Sequence, residues 1–187
     1  MKTVFKIFRK DIRNLSHNIL ALIVAIGLCI IPSLYAWFNI YEIAKSSVDM
    51  LEMTANKNHV HISFTGQTQY VYANRQMMDE LIYNLCDNAI RYNNPGGEVW
   101  VSVIKKDDDV IVQVKDNGIG ISKENQERIF ERFYRVDKSR SKQTGGTGLG
   151  LAIVKHIVAR HDNARLELES EVGKGTIIRV IFSKKSI

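Results

Sequence analysis

Residues 76–92 spell a helix with two unlike faces, and this constrains the fold more than any other feature of the chain. Met77, Leu81, Leu85, Ala89 and Tyr92 recur at helical spacing, the mark of a stripe turned towards a core. Glu80, Asn84 and Asn88 are each four residues apart and share a second face. A polar stripe on an otherwise apolar helix must point at water or at a ligand, because burying an amide without a partner is costly. An ordinary solvated face satisfies the same pattern, so the stripe alone does not choose. Asn93-Asn94-Pro95-Gly96-Gly97 closes the helix with turn formers.

The apolar face of this helix needs a sheet to cover it, and the rest of the chain supplies strands. Val99, Val101 and Val103 alternate with other residues, as do Val110, Val112 and Val114. Asp107-Asp108-Asp109 lies between them as a tight turn, which makes a hairpin. Val60, Ile62 and Phe64 read as a strand, residues 70–73 as a short second one, and residues 166–170 and 176–182 as two more. Residues 42–55 space Ile43, Val48, Leu51 and Met53 as an amphipathic helix. A short helix is expected around residues 123–131, and residues 145–150 lead into another that ends near His161. Helices on one face of a mixed sheet, an α+β two-layer sandwich, is the economical architecture.

The chain has 187 residues and a net charge of +6, unevenly placed. Lys2, Lys6, Arg9, Lys10 and Arg13 face only Asp11 in the first 40 residues, so the remainder carries no basic face for nucleic acid. Cys29 and Cys86 have no CxxC partner, so neither a disulfide framework nor a zinc site is indicated, which suits a reducing compartment. Residues 19–38 hold no charge and match the length needed to cross a bilayer, with Tyr35 and Trp37 at the far end. A signal peptide is the competing reading. The expected organisation is a basic segment over residues 1–18, a transmembrane helix over 19–38, a linker helix over 39–57 and a domain over 58–187. The basic flank predicts a cytoplasmic N-terminus, which would export a domain that follows a single crossing. A re-entrant hairpin at Pro32, an inverted insertion, or a fused or truncated gene would each resolve this.

Three further clusters follow the amide helix. Asp116-Asn117-Gly118-Ile119-Gly120 comes directly after a strand. A carboxylate there accepts a hydrogen bond from an amino group such as that of adenine, and the glycines permit close backbone approach; a plain turn is the alternative. Phe130 and Phe133 sit three apart beside a polar stretch, as lid anchors or as core. Lys138, Arg140 and Lys142 come next, available to phosphates or to solvent. Gly145-Gly146-Thr147-Gly148-Leu149-Gly150 opens a helix, where unpaired N–H groups bind anions. It is neither a P-loop nor a dinucleotide fingerprint.

In this order the clusters resemble the N, G1, F and G2 boxes of the ATP-binding domain of sensor histidine kinases, within the gyrase–Hsp90–kinase–MutL superfamily. The resemblance covers residues 41–187. It implies a two-layer α/β sandwich of the histidine kinase, Hsp90 and gyrase type that holds ATP with Mg²⁺ beneath a lid. By the same resemblance Asn88 holds Mg²⁺, Asn84 supports metal and phosphates, Arg91 and Arg135 contact phosphate, and Tyr92 lines the pocket. Asp116 reads adenine, while Gly118, Gly120, Gly146, Thr147, Gly148, Leu149 and Gly150 shape the pocket and lid. Gly173-Lys174-Gly175-Thr176 looks like the last glycine turn. Residues 1–40, with VFKIFRKDIRN and ALIVAIGLCIIPSLYAWFNI, resemble the N-terminus of the phage-infection-protein family of membrane proteins, which places a junction near Tyr41.

The resemblance also bears on activity. Relatives that hydrolyse ATP carry a Glu one turn before the metal Asn; here that position is Asn84. Without a carboxylate base water is poorly activated, whereas transfer to a histidine needs alignment and Mg²⁺. The reading is therefore the catalytic domain of a membrane-anchored two-component histidine kinase at the bacterial inner membrane, with its ATP site in the cytoplasm. A slow ATPase using Glu80, or a tethered ATP-binding module without turnover, are the alternatives. Relatives place a dimerising helical hairpin with an acceptor histidine before this domain, and no such motif occurs here. Ser16-His17-Asn18 is the nearest fragment, His59 and His61 fall in an expected strand, and His156 and His161 in the last helix. The expected partners are a histidine-containing hairpin or kinase acting in trans, indirectly a response regulator, and the membrane. Asn74 stands where relatives often carry Asp.

Overall fold

The computed structural model describes Ile19, residues 36–136 and residues 146–183. Most of the expected membrane run, His17, Lys138, Arg140, Lys142 and Gly145 lie outside the described residues. A compact unit begins at Ala36. Its elements are β1 (Ala36–Asn39), α1 (Ile40–Lys57), β2 (His61–Gly66), β3 (Tyr70–Ala73), α2 (Arg75–Arg91), β4 (Glu98–Lys106) and β5 (Asp109–Asp116). A 3-10 turn (Arg128–Phe130), α3 (Gly150–Ala159), β6 (Ala164–Glu171) and β7 (Gly175–Phe182) complete it.

Two expectations fail at the start of this unit. The end of the run read as a membrane helix is extended: β1 pairs antiparallel with β3, Trp37 opposite Tyr72 and Phe38 opposite Val71. An apolar edge strand and the last turn of a membrane helix look alike in composition, and the pairing partner is remote in sequence. No described helix is long and apolar enough to cross a membrane. The second failure is Met53, which is 71% exposed. The face of α1 that packs inward is Ile40, Ile43, Ala44, Ser47, Val48, Leu51 and Ala55, a clean three-and-four spacing. Asn39 caps that helix by accepting from the Tyr41 N–H.

The main sheet has strand order β2-β4-β5-β7-β6, with β2 parallel to β4 and the remaining pairs antiparallel. Its two faces differ as strand alternation requires. Val99, Val101, Val103, Val112, Val114, Ile178 and Val180 are buried in one core with Met78, Leu81, Leu85 and Ile90 of α2 and Val154, Ile157 and Val158 of α3. The residues between them form the other face, where Arg179 donates to Gln113 and to Glu169, the Lys115 ammonium sits over the Trp100 ring, and Ile181 is buried. This is a two-layer arrangement, a layer of helices packed on one face of the sheet. Cys86 lies wholly inside it, and burial pushes its thiol up to about 12, so it packs as an apolar residue.

The segment expected as a helix over residues 123–131 is a run of turns ending in the short 3-10 turn. Local side-chain bonds take the place of a helical ladder. Asn125 donates to the Ser122 hydroxyl, and Gln126 donates to the carbonyls of Ile121 and Ser170. His59, expected in a strand, lies in the turn before β2 with φ 55°, and its carbonyl accepts from Gly96. His161 is buried and donates from Nδ1 to the Ile157 carbonyl.

Candidate functional site

Asn74 caps α2 by accepting from the Met77 N–H, which fixes where the helix begins and so which residues face the sheet. Asn84 donates its amide nitrogen to the Glu80 carbonyl at 2.7 Å, and Asn88 donates to the Asn84 carbonyl at 2.9 Å. These bonds orient both amides and turn each Oδ1 away from the helix backbone. The start of α3 lies directly against them: a Cβ on Gly150 would stand 3.0 Å from Asn84 Oδ1 and 3.0 Å from Asn88 Nδ2. Any side chain at residue 150 would fill the space over the amides.

At the C-terminal end of α2, Arg91 donates from Nε to Asp87 Oδ2 at 2.6 Å, and this bond raises the guanidinium above its usual range. The Tyr92 carbonyl accepts from the Ile119 N–H, tying the helix end to the loop after β5.

That loop carries Asp116. The register sets Asp116 opposite Val99 of β4 on one side and Thr176 of β7 on the other. Its Oδ1 accepts from the Gly118 N–H at 2.9 Å and from the Thr176 N–H at 3.2 Å. Burial raises its pKa above the ordinary 3.8, and the two backbone N–H groups oppose that shift. Gly175, at φ 101°, lets β7 pass: a Cβ there would lie 2.0 Å from the Asp116 carbonyl oxygen. Gly120, at φ 66°, is equally required, since its Cβ would meet the Glu171 carbonyl at 2.0 Å.

On the third side, Phe133 N–H donates to the Gly148 carbonyl at 2.9 Å, and Arg135 donates to the Gly146 carbonyl. The expected aromatic anchor is therefore made by backbone. The Phe133 side chain is 72% exposed, whereas Phe130 is half-buried with the Lys155 ammonium over its ring.

These parts enclose one cavity of about 470 Å³, within the size range of small-molecule sites. Asn84, Asn88, Arg91, Tyr92, Asp116, Gly120, Arg135, Gly146, Thr147, Gly148, Gly150 and Thr176 all line it. Gly118 and Leu149 do not. Gly118 is buried behind Asp116, and a Cβ there would stand 2.4 Å from the Tyr92 carbonyl oxygen. Leu149 spends its carbonyl on the Ile153 N–H, and Leu151 reaches the cavity in its place. Sequence reasoning missed the apolar walls, among them Val114, Ile121, Ile129 and Ile178. The alternation of β5 and β7 marked Val114 and Ile178 as inward-facing but could not separate a cavity wall from core. Glu80 is exposed and does not line the cavity.

A family model described as "Histidine kinase-, DNA gyrase B-, and HSP90-like ATPase" matches residues 73–186. The chain is 43% identical over 136 residues to the sensor-like histidine kinase SenX3 of Mycolicibacterium smegmatis, covering 72% of this chain and 35% of that protein. It is 37% identical over 146 residues to the sensor histidine kinase WalK of Bacillus subtilis, covering 76% of this chain and 24% of that protein. The chain thus spans 35% or less of the length of these curated relatives. Among solved structures, the mycobacterial sensor histidine kinase MprB superposes with a TM-score of 0.70 at 24% identity, over 82% of this chain and 100% of that one. The catalytic domain of the histidine kinase ThkA gives 0.69 at 24% identity, over 81% and 96%. At that identity the likeness establishes the fold.

Proposed function

Since the chain belongs to the histidine kinase-, DNA gyrase B-, and HSP90-like ATPase family, we propose that its cavity binds ATP with Mg²⁺ and serves as the catalytic site of a protein-histidine kinase. One observation carries this reading. A single cavity joins a half-buried carboxylate, held by two backbone N–H groups, to two oriented amides beside a glycine-opened helix start. Asp116 keeps Oδ2 for the adenine amino group, because the backbone bonds engage Oδ1. The N–H groups at the start of α3, with Arg91 and Arg135, supply the positive potential for the phosphates. The donor set suits a hard cation: Asn88 would hold Mg²⁺ by its amide oxygen and Asn84 would support it. Bound there, Mg²⁺ neutralises charge on the phosphate oxygens. The protein's own work is to fix the nucleotide, exclude water along the apolar walls and leave the γ-phosphate open to an incoming imidazole.

The acceptor histidine comes from a helical hairpin of another domain or chain, and a response regulator receives the phosphate afterwards. Upstream of β1, residues 19–35 still form an apolar run of about 17 residues, the short end of what spans a bilayer. A tether to the inner membrane with the ATP site in the cytoplasm is consistent with it. Incubating the full chain with γ-labelled ATP, with and without a histidine hairpin, tests the assignment. Label on the hairpin is the expected result. Binding with neither transfer nor release points to a module without turnover, and release of free phosphate in the absence of the hairpin points to an ATPase.

A further inference from the structure

The hydroxyl of Ser170 in β6 is fully engaged. It accepts from the Ile121 N–H at 2.8 Å, bonds to the Gly175 carbonyl at 2.9 Å and lies 2.9 Å from the Thr176 hydroxyl. A carbonyl only accepts, so the single Ser170 proton goes to Gly175. The Thr176 hydroxyl must then donate to Ser170, which leaves Thr176 with lone pairs alone. Thr176 lines the cavity beside Asp116, which donates nothing when ionised. Asp116 and Thr176, partners across β5 and β7, are therefore both acceptors. Gln126, donating to the Ser170 carbonyl, and Ser170 itself also tie this arrangement to the loop after Asp116.

We infer that Ser170 is a positioning residue for nucleotide specificity. By taking the Thr176 proton, it makes the pocket accept purine nucleotides with an amino group at C6 and reject those with an oxo group there. The inference rests on the nucleotide reading of the cavity and adds a residue that never touches the nucleotide. Without the Ser170 hydroxyl, Thr176 is able to rotate its proton into the cavity and donate to an oxo group. The penalty against such a purine then falls, because a lone-pair clash becomes a hydrogen bond.

The test is competition of ATP and inosine triphosphate against a fluorescent ATP analogue on the full chain with Mg²⁺. The wild-type chain should prefer ATP. Ser170→Ala should narrow the ATP-to-inosine-triphosphate affinity ratio by about tenfold, and Ser170→Thr, which keeps the hydroxyl, should retain the wild-type ratio. A ratio unchanged in Ser170→Ala, including the case where both affinities fall together, overturns the proposal and leaves Ser170 a structural residue. Should Ser170→Ala fail to fold, Thr176→Val carries the same test: loss of the acceptor must narrow the ratio, and an unchanged ratio is equally fatal. A wild-type chain that binds neither nucleotide overturns the pocket assignment itself, a different failure from binding both without discrimination.

Discussion

Replacing Asp116 by Asn separates binding from stability. The Asn carbonyl oxygen can still accept from the Gly118 and Thr176 N–H groups, the bonds of 2.9 Å and 3.2 Å that seat the residue. What changes is the other atom: an NH₂ group takes the place of Oδ2 and opposes a nucleotide amino group donor to donor. A hydrogen bond to a charged group contributes about 1.5–3 kcal/mol, so ATP affinity should fall at least about tenfold. Stability should not fall with it. Because burial raises the Asp116 pKa, folding favours the protonated form, and that contribution is lost as pH rises through the raised value. Asn carries no charge to desolvate, so at neutral pH the variant should melt at or above the wild-type temperature. The same shift predicts that wild-type ATP affinity weakens as pH falls through the raised Asp116 pKa, while the variant's affinity lacks that step. Isothermal titration across pH, paired with thermal melts, reads both quantities. Unchanged affinity at neutral pH would refute the pocket assignment, and a large drop in melting temperature would show that the carboxylate holds the fold.

Asn88→Asp should alter the Mg²⁺ dependence of ATP binding, and superimposable Mg²⁺ titrations of the two proteins would remove Asn88 from the metal site. Gly173→Ala and Gly175→Ala form a matched pair within one turn, both at positive φ. Nothing lies within 4 Å of a Cβ on Gly173, so that change should cost about 1 kcal/mol, whereas the 2.0 Å approach to the Asp116 carbonyl makes Gly175→Ala worse by about 2 kcal/mol or more. Urea unfolding decides this, and equal costs would contradict the packing described. Glu80→Gln should leave any phosphate release unchanged, since Glu80 is outside the cavity; a loss of release would restore it as a base.

The two faces of α2 were legible because a 3.6-residue period and a four-residue amide stripe are local patterns. The β4–β5 hairpin was legible for the same reason: alternating valines around an Asp-rich turn admit few alternatives. β1 was not, since nothing within Ala36–Asn39 announces that Tyr70–Ala73 will pair with it. Met53 misled because Met carries no signal of its own about which side of a helix it takes. Residues 123–131 misled because Asn125 and Gln126 are acceptable in a helix and reveal their loop role only once Tyr134 and Ser170, respectively, are alongside. Ser170 itself reads as an ordinary strand serine, and its importance comes from the turn at residues 172–174 that brings Gly175 and Thr176 back to it.

Whether such a cavity spends ATP on water or on a histidine depends on which carboxylates reach it. Among the described residues, the two that line it are Asp87 and Asp116. Asp87 gives Oδ2 to Arg91 through a 2.6 Å bond while its buried Oδ1 accepts no hydrogen bond, and Asp116 gives Oδ1 to the Gly118 and Thr176 N–H groups. At the helix position one turn before Asn88 stands an amide whose nitrogen is bound to the Glu80 carbonyl, and an amide cannot take a proton from water. A neutral imidazole, in contrast, is a competent nucleophile near pH 7 and needs no base to create one. Under the proposed function, a pocket with an amide rather than a carboxylate at that position would favour transfer to a nucleophile that arrives already deprotonated over hydrolysis. In the proposed kinase, Asn84 at that position is what makes phosphoryl transfer depend on a partner histidine.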